Sequence, residues 1–197
     1  WGPSRVGPFG LLQPLADVGK LISKESFRPE NAISPAFILG PLLPVLSGVL
    51  ALAIIPWGDV KDGVGFYGID VPIGILYFFA VGSIAFYGLL LGGWSSGSKY
   101  SLLGAMRSAA QVISYEVSMG LALLGVIMMS GSLSLVDVVR AQGDVWYIGP
   151  QIVGFLIFML AGFAETNRTP FDMPEADAEL VQGFMTEYGG MRFGSFL

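Results

Sequence analysis

The sequence predicts an all-α integral membrane protein: a multi-helix transmembrane bundle with an N-terminal amphipathic interfacial helix and an acidic loop on the cytoplasmic or matrix side. Three observations carry this. Of 197 residues, 53% are hydrophobic and 13% charged, whereas about a quarter are charged in soluble domains. Apolar runs close to the ~20 residues that a bilayer core requires recur four times. The charge is gathered into islands, and the densest, Glu165 to Glu187, holds six of the fifteen acidic residues. Without internal repeats or low-complexity stretches, residues 1–197 read as a single membrane domain.

Residues 1–30 contain Arg5, Lys20, Lys24 and Arg28 and no run long enough to span. Within them Leu11, Leu12, Leu15, Val18, Leu21 and Ile22 recur at helical spacing, with Gln13, Asp17, Lys20 and Lys24 off that stripe. An amphipathic helix lying in the interface is predicted, with Pro14 in its first turn. Spans follow at approximately 36–57, 71–94, 103–129 and 146–164, and Trp57, Trp94, Trp146 and Tyr147 sit at their ends as an aromatic belt would place them. Gly40, Pro41 and Pro44 predict a kink or break in the first span. Gly88 and Gly92 form a small-xxx-small pair in the second, a signature of close helix packing. Residues 165–190 form the acidic loop. The chain begins at Trp1, and residues 191–197 read as the start of a further helix; a piece of a longer protein is expected.

Orientation follows from the basic residues. With the N-terminus inside, the inner segments hold Arg5, Lys20, Lys24, Arg28, Lys99, Arg107, Arg168 and Arg192, and the outer loops only Lys61 and Arg140. That bias places the acidic loop on the inner face.

Composition also excludes chemistries. The chain has neither cysteine nor histidine, so it supplies no disulfide, no iron–sulfur or haem-thiolate ligand, no ordinary zinc site and no histidine-based triad. Gly93-Trp94-Ser95-Ser96-Gly97 matches a nucleophile elbow but has no base, and reads as a small-residue turn. The run Gly92 to Lys99 fails the phosphate-loop spacing at Ser98. The acidic pI of 4.6 gives no reason to expect a nucleic-acid partner.

Glu116 is the informative residue, because it lies inside the third span in SAAQVISYEVSMGLALLG. An unpaired carboxylate there costs several kcal/mol, so it requires a partner on another helix, access to water, or a bound proton. Arg107, nine residues earlier, is roughly 13 Å away along the axis and on the opposite face. A proton relay is favoured over a purely structural hydrogen bond. In the loop, Asp172 is placed to cap a helix start after Pro170, with Glu175 completing a capping-box pattern. Phe171, Met173, Leu180, Val181 and Phe184 are interleaved with the acids. Docking against a partner explains both sets better than a solvated connector.

GPFGLLQPLADVGKLISKE, GGWSSGSKYSLLGAMRSAAQVISYEV and AETNRTPFDMPEADAELVQGFMTEYGGMRF resemble, in order and spacing, the H subunit of respiratory complex I, the proton-pumping NADH:quinone oxidoreductase (subunit 1 of the mitochondrial enzyme). The likeness covers nearly the whole chain, without the family's first and last transmembrane helices. It implies a subunit at the joint of membrane and peripheral arms that forms the quinone access tunnel and couples quinone reduction to proton translocation. Phe9, Leu12, Gln13, Leu15, Asp17 and Lys20 are then assigned to the quinone tunnel. Arg107, Glu116, Glu165, Arg168, Asp172, Glu175, Asp177, Glu179 and Glu187 are assigned to proton relay and coupling. The implied partners are quinone-reducing peripheral subunits docking on the acidic loop, adjacent small membrane subunits, and the bilayer. Quinone is the substrate, this chain binds no cofactor or metal, and flavin and iron–sulfur clusters lie in partner subunits. The implied location is the bacterial plasma membrane, or the mitochondrial inner membrane for an organellar protein. The alternatives are the homologous subunit of a membrane-bound hydrogenase or deazaflavin-linked oxidoreductase, or a passive anchor for redox subunits.

Overall fold

The computed structural model describes residues 6–58, 67–167, 171 and 183–196. Their regular elements are all helical. The helix start predicted at Asp172 and Glu175 lies outside the described residues.

The interfacial helix is α1, Gln13–Ser23, with Pro14 in its first turn, where a missing N–H removes no helical bond. It buries no residue. It approaches the bundle at Leu21, whose Cδ1 lies 2.9 Å from where a Cβ on Gly194 would stand. Leu15, Val18 and Ile22 stay exposed, as a helix facing lipid headgroups requires.

The helix α2 covers Ser34–Leu52 and runs without interruption through Pro41 and Pro44. The two prolines therefore do not break it. Each removes the donor for the carbonyl four residues earlier, Phe37 O and Gly40 O, and the first of these is offered a donor from outside the helix. The Tyr188 hydroxyl lies 3.4 Å from Phe37 O. Gly88 sits so close to Gly40 O that a Cβ would stand 2.8 Å from it.

The partner of α2 is α3, Gly74–Ser95. Gly40 faces Gly92, and Pro44 faces Gly88, so rising numbers on one helix meet falling numbers on the other and the pair is antiparallel. A Cβ on Gly40 would lie 2.9 Å from the Gly92 Cα. The small-xxx-small pair is thus a helix contact, where absent side chains let two backbones touch. At its C-terminal end, Ser95 and Ser96 both donate back to Gly92 O, at 3.2 and 2.7 Å, and are buried. The elbow-like Gly93–Gly97 stretch is therefore the end of α3 and its exit, with Gly97 at φ +70°.

The longest helix, α4, covers Lys99–Ser130 and ends in a left-handed Gly131. At 32 residues it is about 48 Å long, more than a bilayer core demands. Its buried positions Ser101, Gly104, Ala105, Ser108, Gln111 and Val112 recur every three or four residues. Gly104 lies directly under the backbone of Gly183 and Phe184, so this stripe of small residues is the bed for the 3₁₀ turn Gly183–Met185.

A short helix that periodicity did not announce, α5 (Leu135–Ala141), follows. Ser134 caps it by accepting from Asp137 N, and its hydroxyl donates to Asp70 at 2.8 Å. The apolar helix α6 is Ile152–Glu165, 14 residues or about 21 Å, starting beyond Pro150. Three helices, α2, α3 and α4, are long and apolar enough to cross a membrane. The chain closes on a single turn, α7 (Met191–Gly194).

Tyr188 joins these parts. Its ring stacks on Phe37 at 4.2 Å and 7°, and meets Phe196 edge-on at 5.0 Å. Its hydroxyl faces Phe37 O, Gly92 O at 3.3 Å and Ser95 Oγ at 3.5 Å. These are long bonds, so the stacked rings contribute more than the hydroxyl. Burial pushes the phenol above its ordinary pKa, against lowering by Ser95, Ser96 and the Arg192 charge, so the group remains a donor.

These contacts set two expectations for stability. Gly40→Val forces a side chain into the Gly92 backbone and is expected to cost about 1–3 kcal/mol, read as a lower melting temperature of the purified protein. Gly162→Ala, with nothing within 4 Å, serves as the control and melts unchanged or higher. Tyr188→Phe keeps the stack and is expected to cost about 0.5–1 kcal/mol. Tyr188→Ala removes it and is expected to cost about 3–5 kcal/mol in the same measurement.

Candidate functional site

A cavity of about 250 Å³ lies within the bundle. Its walls come from α2 (Pro44, Ser47), α3 (Phe78, Gly82, Leu89), Val112 of α4, Phe196, and the end of α6 with Glu165 and Asn167. The lining is apolar apart from Ser47, Glu165 and Asn167, so it has room for water and few groups to hold it. Among the described residues, Glu165, the last of α6, is the only titratable one in the lining.

Glu116 approaches from α4. Its Oε1 lies 3.4 Å from where a Cβ on Gly82 would stand, so that glycine leaves space for the carboxyl group. Ser83, which donates to Phe79 O at 3.0 Å, is its polar neighbour on α3. Glu116 and Glu165 are close enough to interact electrostatically. Among the described residues, the groups recorded at Glu116 are the Ser83 hydroxyl and, electrostatically, the Glu165 carboxyl group. Two like groups beside one apolar space do not titrate separately: the charge on one sets the proton affinity of the other.

The two helices that carry the pair are tied together by Gln111, which is buried on α4. Its Nε2 donates to Ala164 O at 2.8 Å, to Phe171 O at 2.7 Å and to Asn167 Oδ1 at 3.1 Å. Asn167 is left-handed, at φ 50°, a conformation Asn tolerates just past a helix end. One turn beyond Gln111, the Tyr115 ring meets Phe171 edge-on at 5.5 Å. Gln111 was not singled out from the sequence. The available signal was an amide within an apolar span, four residues before Tyr115 and five before Glu116.

The remaining predicted residues divide into groups. Gln13 and Asp17 share a long contact of 3.4 Å on α1, and Phe9, Leu12, Leu15, Asp17 and Lys20 are exposed. Phe9 is 97% exposed and stands at φ 55°. None of the α1 set lines the cavity beside Glu165. Arg107 is exposed on α4 and Glu187 is half-buried beside Tyr188. Arg168, Asp172, Glu175, Asp177 and Glu179 lie outside the described residues. No cluster of three or more potential metal ligands occurs among the described residues.

Comparison with known proteins agrees with this architecture. The family model described as NADH dehydrogenase matches residues 1–197. The chain is 53% identical to an NADH-quinone oxidoreductase H subunit of Geobacter sulfurreducens, over 99% of this chain and 60% of that protein. It is 48% identical to an H subunit of the same enzyme from Cytophaga hutchinsonii, over 100% of this chain and 59% of that protein. With the H subunit of Brevibacillus brevis it shares 48% over 100% of this chain and 57% of that protein. The chain thus spans about three fifths of the length of the curated relatives it matches.

Proposed function

Because the chain belongs to the NADH dehydrogenase family, and is a multi-pass membrane protein, we propose that it acts as the membrane subunit of an NADH:quinone oxidoreductase that couples quinone reduction to proton translocation. The observation that carries this reading is the Glu116–Glu165 pair, two carboxyl groups from different helices beside one cavity in the bundle. Supporting it, the relatives bear the name of that enzyme's H subunit.

In this proposal, flavin and iron–sulfur clusters of partner subunits would supply two electrons taken from NADH. Quinone takes them up with two protons and becomes quinol. The α1 face with Phe9, Leu12, Gln13, Leu15, Asp17 and Lys20 borders the quinone path: its apolar side chains suit an isoprenoid tail, and its few polar groups suit the headgroup. The acidic loop, with Arg168, Asp172, Glu175, Asp177, Glu179 and Glu187, docks the quinone-reducing subunits. A charge change at the quinone alters the field at the loop, and Glu165, at the junction of loop and helix, feels it first. Through its coupling to Glu116, a proton gained or lost at one carboxyl group changes the occupancy of the other. Arg107 lies about two and a half turns before Glu116, on the loop side of α4. Adjacent small membrane subunits receive the proton. The bacterial relatives favour the bacterial plasma membrane as the location.

The test uses the full complex in native membranes, with quinone reduction and proton movement recorded side by side for Glu116→Gln and Glu165→Gln, and assembly checked on a native gel. Either change keeps side-chain size and removes the titrating group. Loss of turnover or of proton yield, by about 10²-fold for a single positioned acid–base group, is expected in assembled complex. Normal rates and normal proton yield in both would make the chain a tunnel wall and anchor.

A further inference from the structure

We propose that Gln111 is a positioning residue that sets the separation of the Glu116 and Glu165 carboxyl groups by clamping the end of α6, with Asn167 and Phe171, onto α4. This rests on the coupling reading above and extends it to a residue that carries no charge.

The argument begins with donor arithmetic. A glutamine amide nitrogen has two hydrogens, and three oxygens face this one, at 2.7, 2.8 and 3.1 Å. Two can be served well at any moment. The Ala164 carbonyl belongs to the peptide unit from which Glu165 departs, so gripping it fixes the origin of that side chain. Glu116 is five residues beyond Gln111 on the same helix, about 7.5 Å along its axis, so the amide and that carboxyl group share one rigid element. Phe171 is held twice, by its carbonyl from Gln111 and by its ring from Tyr115.

The surplus acceptor matters as much as the grip. If any one of the three oxygens draws back, the amide can exchange it for another and still use both hydrogens. A buried amide left unpaired would cost about 1–3 kcal/mol, so the clamp resists release but tolerates exchange. The elements around the pair bring no other titratable side chain to the cavity among the described residues: α2 contributes Ser47, α3 its apolar residues and Gly82, and α4 Val112. Ser83, on α3, faces Glu116, Tyr115 lies on the Phe171 side of α4, and Arg107 is exposed. The separation of the two carboxyl groups is therefore governed by how α6 is held to α4.

The experiment compares Gln111→Leu and Gln111→Glu in the full complex, recording assembly, NADH oxidation by an artificial acceptor, and quinone-linked turnover across pH. Leu keeps the volume and removes both hydrogens. Glu keeps the outline but donates only when protonated. We expect assembled Gln111→Leu to oxidise NADH normally, to lose about tenfold in quinone-linked turnover, and to show a displaced pH profile. Gln111→Glu should recover turnover on the acid side, where its carboxyl group donates again. A wild-type pH profile in assembled Gln111→Leu, or a Gln111→Glu variant with no acid-side recovery, overturns the proposal; if Gln111→Leu does not assemble, that recovery decides alone. Glu165→Gln separates the two readings. If it leaves the pH profile and proton yield unchanged, the coupling reading fails and this inference fails with it. If it moves them while Gln111→Leu does not, the positioning role alone fails.

Discussion

Pro41 lacks the N–H that would reach the Phe37 carbonyl, one of two carbonyls that prolines release in α2, and the packing of α2, α3 and Tyr188 is arranged around it. In a bilayer an unpaired backbone oxygen is costly, so another element must approach it. Tyr188 does so, with its ring flat on Phe37 and its hydroxyl between α2 and α3. The approach is possible only because Gly40, Gly88 and Gly92 let the two helices touch. The end of the acidic loop is thereby tied to the same place where α2 and α3 are closest. Proline, glycine and tyrosine form one device here, and changing any one alters the demand on the other two.

The same principle governs the carboxyl pair. A membrane bundle can carry an acid only where another polar group or water meets it. Among the described residues, Glu116 meets Ser83 and, electrostatically, a second acid, Glu165. A salt bridge would settle the charge permanently. A pair of like groups beside an apolar cavity leaves one proton's position responsive to its surroundings, which suits coupling and serves stability poorly. Gln111 on α4 is the neutral tie to Ala164, Asn167 and Phe171 beside that pair.

Much of the fold was legible in the chain itself. Hydropathy and length identified α2, α3 and α4, since each buries or exposes a local run of residues to one solvent, the lipid. Gly88 and Gly92 announced a helix contact that the structure contains, whereas the stretch read as a small-residue turn begins inside α3 and leaves it only after Ser95. The uninterrupted passage of α2 through Pro41 and Pro44 was not readable, because the groups packed against it there, Gly88 and Tyr188, come from far along the chain. The seven-residue α5 escaped notice because its capping by Ser134 is bound up with Asp70, on a separate loop.

The sequence by itself determined the membrane class, the helical content, the family resemblance and the presence of an intramembrane acid, because these depend on composition and on motifs that are contiguous. Only the tertiary structure decided what that acid meets. The contacts that define the site, Gln111 with Ala164, Asn167 and Phe171, Tyr188 with Phe37 and Gly92, and Glu116 with Glu165, join residues on different elements. Periodicity states which face of a helix is apolar, whereas the partner across that face is set by how the helices cross. That crossing is fixed by where glycines allow two backbones to touch.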